Sequence, residues 1–357
     1  MVWSADINPD DDKFHPRTND PWWNEASYIT FRVPERDLMG LLYFYFRPNQ
    51  NTAMGGPLIW DPSGNTFNTI AHNGWSWHMG IPEGADMFDF QLENGFGCRT
   101  VEAQKEHVYT YEAPGCEFEL NFTASYPPHY LKLDKQKNDV DAGMYDFVRD
   151  VEGLAPDGSD ITTGHYEHFG RMNGTLVIEG ESIDVTDGVV FRDHTWGPRK
   201  ILANMDRRRG GYSLGMADDK NAFNVFATCD IPWEKDPYDG VDDIISAGFH
   251  VVDGVPATVV SGTRRRINGD DGRPLGEVIS AVDELGRTIE AEGRIVSGLE
   301  WPGLWGDLAA YWCYERWDWN GHTDSCGELQ DWTYARHFRK WMRERASGTD
   351  SAQAAGS

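Results

Sequence analysis

Apolar and polar residues alternate with a period of two along most of this 357-residue chain, in short runs closed off by Gly, Asn, Asp and Pro. Period two sends successive side chains to opposite faces of an extended strand, so each run reads as a β-strand with one face for a core. Runs at 28–33, 41–46, 69–79, 88–92, 98–103, 107–111, 116–125, 174–180 and 183–191 meet this test. Turn chemistry separates them at Glu35-Arg36-Asp37, Pro48-Asn49-Gln50-Asn51, Pro62-Ser63-Gly64-Asn65 and Asp187-Gly188. Within 69–79, Trp75, Trp77 and Met79 fall on one face and Ser76 and His78 on the other. A second series follows at 212–216, 222–228, 244–252, 277–282, 288–296 and 309–317. Evenly spaced short strands predict an all-β fold of antiparallel barrels or sandwiches. The period becomes helical only over 332–346, where Ala335, Phe338, Trp341 and Met342 make an amphipathic stripe. The charged stretch 132–155, with Met144, Tyr145, Phe147 and Val148, reads as a long excursion holding a short helix. Two series of strands predict two β domains, 20–200 and 201–346, between flexible termini at 1–19 and 347–357.

One stretch carries more chemistry than its neighbours. Gly188-Val-Val-Phe-Arg-Asp-His-Thr-Trp-Gly-Pro-Arg199 places Arg192, Asp193, His194, Trp196 and Arg199 at a strand end about to turn. Asp193 suits a proton donor or a clamp for His194 or Arg199, and Trp196 offers a ring face to a cation. The same residues equally suit a structural corner: an indole plug, a buried Asp–Arg pair and a satisfied imidazole. His165 and Glu167 precede the stretch at a distance that a barrel brings alongside it, so they join the candidate pocket with Trp75, Trp77 and Tyr212. Gly211-Tyr212-Ser213-Leu214-Gly215 has the pattern of a nucleophile elbow, but alternation continues through Met216 with no helix after it. His165 and His168 flank Glu167, and His72 and His78 stand six apart, so no pair has a zinc spacing. No phosphate loop or dinucleotide fingerprint occurs. The expectation is no metal and no cofactor.

Composition narrows the partners. A net charge of −26 disfavours nucleic acid and anionic membrane surfaces, both of which need clustered Lys and Arg. The two basic runs, Arg207-Arg208-Arg209 and Arg264-Arg265-Arg266, read as loop or edge-strand guards. Fifteen Trp exceed what two cores need and point to a large apolar cavity. Five Cys without a Cys-x-x-Cys pair favour reduced thiols and a cytoplasmic setting. Residues 1–13 lack the apolar core of a signal peptide, and no run approaches the length of a membrane span. The expected partner is an apolar small molecule, with no stable membrane anchor; a homodimer is allowed.

Asp193-His194-Thr195-Trp196-Gly197-Pro198-Arg199 resembles the signature of the hydroxyneurosporene synthase (carotenoid 1,2-hydratase) and AttH-like family. Pro21-Trp22-Trp23-Asn24-Glu25, Phe31-Arg32-Val33-Pro34-Glu35-Arg36 and Tyr43 to Asn49 resemble the start of its N-terminal domain. The likeness spans roughly 20–345. It implies two lipocalin-like β-barrel domains with a pocket at or near their junction. Relatives include hydratases of isoprenoid double bonds and, more distantly, fungal cyclases that guide Diels–Alder reactions. By resemblance His194 and Trp196 match functional positions of the carotenoid hydratases. A Tyr-x-Asp pair also matters in those enzymes; here Asn221-Ala222-Phe223 stands at that distance, which leaves Asp193 as the alternative acid.

These readings converge on a hydratase-like enzyme that adds water to a carbon–carbon double bond of an apolar, isoprenoid-type substrate. Asp193, His194 and Trp196 are the candidate catalytic residues; Arg199, Trp75, Trp77, His165, Glu167 and Tyr212 line the substrate. The alternatives are a non-catalytic carrier of a terpenoid, steroid or acyl chain, and a cyclase or isomerase of the same fold.

Overall fold

The computed structural model describes residues 8–130, 155, 158, 163–199, 209–229, 235–238, 241–301 and 308–354, with 347–354 described in their backbone only. The chain divides into two compact units: Met1–Lys200 with Asp218–Lys220 and Asp253–Pro256, and Ile201–Ala217 with Asn221–Val252 and Ala257–Ser357. Both are built from antiparallel strands, and the all-β expectation holds.

The first unit contains β1 (Trp23–Val33), β2 (Leu38–Arg47), β3 (Thr52–Trp60), β4 (His72–Asn73), β5 (Ser76–Gly80), β6 (Phe90–Gln91), β7 (Phe96–Glu102), β8 (Glu106–Ala113), β9 (Cys116–Ala124), β10 (His129–Tyr130), β11 (Gly164–Ile178) and β12 (Glu181–Pro198). They form one twelve-stranded sheet in the order β4-β3-β2-β1-β12-β11-β9-β8-β7-β6, with β5 on β3 and β10 on β11. The long strands β11 and β12 pair in register, Tyr166 opposite His194 and Glu167 opposite Asp193. On the far side β12 pairs with β1, Glu25 opposite Trp196. Ile29, Phe31, Leu42, Phe44, Phe46 and Val190, on alternate positions of β1, β2 and β12, belong to one buried cluster, which defines the inner face. β1 and β2 are buried along their whole length, so the outer face is covered too.

The second unit contains β13 (Arg209–Asp218), β14 (Asn221–Cys229), β15 (Asp243–Val252), β16 (Val255–Asn268), β17 (Pro274–Asp283), β18 (Thr288–Trp301), β19 (Leu308–Trp319) and β20 (His322–Tyr334), closed into a barrel in sequence order, and then α1 (Ala335–Ala354). Ser213 lies in mid-strand on β13, so the elbow pattern is a strand, as its alternation requires.

Several expectations change. β3 is absent from the alternating runs of the sequence, and Gly55-Gly56-Pro57 stands in its middle. Gly55 sits at φ +149, and a Cβ there would stand 2.4 Å from the Tyr43 carbonyl oxygen, so the glycine permits the pairing with β2. The run 69–79 is not one strand: it is broken between β4 and β5, His78 has φ +61, and Trp77 is exposed while Met79 is buried. Residues 332–334 still belong to β20, and the helix continues through Ala354 into the predicted tail. The basic run on β16 is no edge guard. Arg264 is fully buried against Asp243 and Glu277, the half-buried Arg266 turns its side chain in to Asp243, and Arg265 is exposed, paired with Asp242. The excursion expected over 132–155 lies outside the described residues except for Ala155, as do Arg207 and Arg208. The largest correction is at the N-terminus: the acidic run makes a 3-10 turn, Pro9–Asp12, in which Asp11 and Asp12 are buried.

Candidate active site

Strand geometry divides the seven-residue motif. On β12, Arg192, His194 and Trp196 point to the inner face; Asp193 and Thr195 point to the outer face. Each half meets a different set of neighbours.

The inner half is closed by the N-terminal segment. His15 stacks on Trp196 with ring centroids 4.1 Å apart and an interplanar angle of 2°. Four nitrogens converge on the Glu25 carboxylate. Its Oε2 lies 3.1 Å from His15 Nδ1 and 3.3 Å from His194 Nε2; its Oε1 accepts the His15 backbone N–H at 2.9 Å and Trp23 Nε1–H at 3.2 Å. Burial would push Glu25 up, but the two imidazoles hold it down at about 2. Burial likewise opposes the His15 charge, yet Glu25 and Asp11 win and raise it to about 9. His194 is pulled below its ordinary value, burial outweighing Glu25.

Beside this group, Asp12 Oδ1 accepts Tyr166 OH at 2.7 Å and Arg192 Nη2–H at 2.9 Å, and His107 Nε2 lies 3.2 Å from its Oδ2. Burial resists the Asp12 charge, but Arg192, His107 and Tyr166 keep the carboxyl well below the usual range. Arg192 spans the faces of Phe88 and Tyr166 and also reaches His168 Nδ1 at 3.1 Å. His168 Nε2–H donates to the Tyr126 carbonyl at 2.6 Å, which leaves Nδ1 free to accept. Burial first, and Arg192 second, hold that ring neutral with a pKa of about 3.

The outer half is assembled from β1, β2, β11 and β12. Asp193 Oδ1 accepts the Tyr28 backbone N–H at 2.8 Å. Next to it, His165 Nε2–H donates to Glu167 Oε1 at 2.9 Å, and Thr195 Oγ1 lies 2.5 Å from His165 Nδ1. Asp193 Oδ2 is 3.9 Å from that same Nδ1. Burial, reinforced by Glu167, pushes Asp193 up to about 7 against the pull of His165, the Tyr28 N–H and Arg199. Burial depresses His165 to about 4. So a carboxyl whose pKa is lifted toward neutrality stands beside an imidazole that burial disfavours charging and that a second carboxylate orients. Tyr43 hydrogen-bonds Arg199 and stacks on Trp75, ring centroids 5.8 Å apart. Trp77 packs edge-on against Trp75 and is largely exposed. Unlike Glu25 and His194, whose side chains are fully buried, Asp193 and His165 keep 13% and 10% of their exposure.

The structure therefore brings Asp193, His165, Glu167, Arg199 and Trp75 together, with Trp77 at the edge. It puts His194 and Trp196 on the opposite face and Tyr212 in the second unit, packed on Phe226 and Trp332. Tyr28, Tyr43 and Thr195 on the outer face, and Asp11, Asp12, His15, Glu25 and Tyr166 on the inner, were not foreseen. Register against Asp193 would have found Tyr28 and Tyr43; nothing local marks His15 or Asp12.

A family model described as a domain of unknown function (DUF7064) matches residues 8–323. A search of the curated proteins found no match. Among solved structures, the NE1406 protein of Nitrosomonas europaea, solved as an AttH candidate, is similar with TM-score 0.51 and 13% identity, covering 94% of this chain and 98% of its own. Kievitone hydratase from Nectria haematococca is similar with TM-score 0.51 and 10% identity over 92% of this chain and 93% of its own. CghA gives TM-score 0.51 and 10% identity over 88% of each chain. At these identities the likeness is one of fold, which is AttH-like.

Proposed function

This chain belongs to the DUF7064 family, and from that premise, with the AttH-like fold it shares with a hydratase, we propose that it adds water to a carbon–carbon double bond of an apolar, isoprenoid-type substrate. The observation that carries this reading is the outer-face pairing of an acid with an oriented base, Asp193 beside the His165–Glu167 dyad.

Hydration needs a proton delivered to one alkene carbon and a hydroxyl delivered to the other. Asp193 gives its proton to the less substituted carbon. The π electrons form the new C–H bond, and the cation develops on the more substituted carbon. Trp75 and Tyr43 offer ring faces to that charge. Water attacks the cation; the Thr195 hydroxyl takes a proton from it while passing its own to His165 Nδ1. Glu167 steadies the imidazolium through Nε2–H. Transfer of that proton from His165 to the ionised Asp193, 3.9 Å away, restores the resting state. Arg199 holds Tyr43 and offers a donor to a substrate oxygen. In this scheme His194 and Trp196 fix the position of β12 from behind and touch no reacting atom. The likeness of the motif to carotenoid hydratases supports the reaction class.

The test is incubation with a panel of prenylated phenols and acyclic terpenes in oxygen-labelled water, followed by mass spectrometry. A product heavier by one labelled water supports hydration. Asp193→Asn should lose ~10²–10⁴-fold in turnover, the usual scale for a general acid, and His165→Gln should lose a similar amount. Binding of a panel member without conversion would replace hydration by the carrier reading. Wild-type turnover in a folded Asp193→Asn would remove Asp193 from the mechanism.

A further inference from the structure

A neutral imidazole carries one N–H, so a ring whose two nitrogens both face acceptors must hold a second proton or point a lone pair at a cation. Two rings on the inner face meet this condition around one oxygen atom. His194 Nδ1 lies 2.8 Å from the Asp11 carbonyl oxygen, and its Nε2 lies 3.3 Å from Glu25 Oε2. His15 Nε2 lies 3.3 Å from Asp11 Oδ1, and its Nδ1 lies 3.1 Å from the same Glu25 Oε2. A second proton on His15 alone leaves one His194 nitrogen lone pair facing an acceptor, and a second imidazolium would set like charges in rings 5.5 Å apart in a nearly closed cluster, with the Arg192 guanidinium bound to neighbouring Asp12.

The alternative is a metal, and three features fit one. The donor atoms of His15, Glu25 and His194 lie within 4.8 Å of one another. The 3.1 and 3.3 Å separations match the ~3.3 Å edge of a tetrahedron with metal–ligand bonds of ~2.0–2.1 Å. Every ligand is also oriented from outside. Asp11 takes the far nitrogen of both rings, by carboxylate for His15 and by carbonyl for His194, and Glu25 Oε1 is held by two N–H donors. Ligating imidazoles almost always have such partners.

We propose that His15 Nδ1, His194 Nε2 and Glu25 Oε2 bind one zinc-class divalent metal ion, which staples the N-terminal segment to β1 and β12 behind the Asp193 face. The two histidines and one glutamate are borderline-hard donors suited to zinc or cobalt rather than calcium. The site shares no residue with the outer-face acid and base, so it stands or falls apart from the hydration reading.

The full chain, stripped with a chelator and dialysed, is titrated with zinc and separately with cobalt. One equivalent of either bound per chain, visible cobalt bands of a three-ligand site completed by one water, and a melting temperature raised by the metal are expected. His15→Gln should weaken zinc affinity by ~100-fold or more and abolish the cobalt bands. Asp11→Asn, which removes only an orienting partner, should weaken it by ~10–100-fold. Asp193→Asn should leave it unchanged. His15→Gln sits in the N-terminal segment rather than in a central strand; should it fail to fold, Asp11→Asn and the wild-type titration decide. A stripped wild-type chain that binds neither ion, or His15→Gln and Asp11→Asn variants that bind both as the wild type does, would overturn the site in favour of a pair of protons.

Discussion

The two faces of β12 carry the same kinds of side chain to opposite ends. On the inner face each charge is answered within the cluster: Asp12 by Arg192, Tyr166 and His107, Glu25 by His15, His194 and Trp23. Glu25, His194, Arg192 and His107 have no exposure there, and the shifts favour charged carboxylates. On the outer face Asp193 keeps some exposure, has no full ion-pair partner within 3.5 Å among the contacts described, and has its pKa lifted by burial to about 7. A buried carboxylate that is matched stabilises; one left under-matched is available for chemistry. The difference arises from one residue of offset along a strand.

The largest effect should come from unbalancing the matched face. Arg192→Ala leaves Asp12 buried without its cation and should destabilise the chain by ~3–5 kcal/mol, measured by denaturant unfolding. A loss comparable to a surface substitution would show that the inner network is not what holds the first unit. Next is Asp193→Asn, whose ~10²–10⁴-fold loss in turnover should come with a melting temperature close to wild type, because its neighbours lose no matched charge. If the variant instead melts early with normal turnover per folded molecule, the two faces do not differ in role.

The second unit extends the comparison to a buried carboxylate that is scarcely answered at all. Inside its barrel Glu277 has Arg264 Nη1 3.5 Å away and Glu315 beside it; burial above all, against the pull of Arg264, lifts Glu277 above its ordinary 4.5. Its folded-state pKa exceeds its unfolded value, so the folded chain holds the extra proton. The associated stability is present below the ordinary glutamate range and is lost as pH rises toward neutrality. Glu277→Gln should flatten that part of the stability–pH curve, read as melting temperature across the range. An unchanged slope would assign it to other groups. The smallest effect is expected from Trp75→Ala: loss of one ring beside Tyr43 should slow hydration by ~10-fold with little change in melting temperature. A loss as large as that of Asp193→Asn would make the indole part of the acid's own support.

The fold was legible wherever alternation was clean. β9, Cys116–Ala124, is buried at every second residue until its end, as its sequence pattern requires. It was illegible where local signals contradict tertiary pairing. Gly55-Gly56-Pro57 carries turn residues inside β3, and 347–354 have no apolar period although α1 runs through them. The seven-residue motif stood out, and so did His165 and Glu167, but chemical sense grouped Asp193 with His194, whereas adjacent strand residues face apart. Asp10-Asp11-Asp12 falls in the polar terminus, 1–19, that the sequence predicts as flexible. Its partner Arg192 lies 180 residues along, and no local pattern encodes that meeting.

That separation sets an order of events in synthesis. The segment from Asn8 to His15 can meet Glu25, Asp86, Gln104 and Tyr130 earlier, but its contacts to Arg192 and His194 wait until β12 is made. Closing so long a loop is slow and is repaid only when both ends are present. Asp12 thus waits 180 residues of synthesis for its guanidinium, and water is the cheapest place for an unmatched acid meanwhile. The contacts that close the inner face of the first unit therefore form late, after both ends of that loop exist.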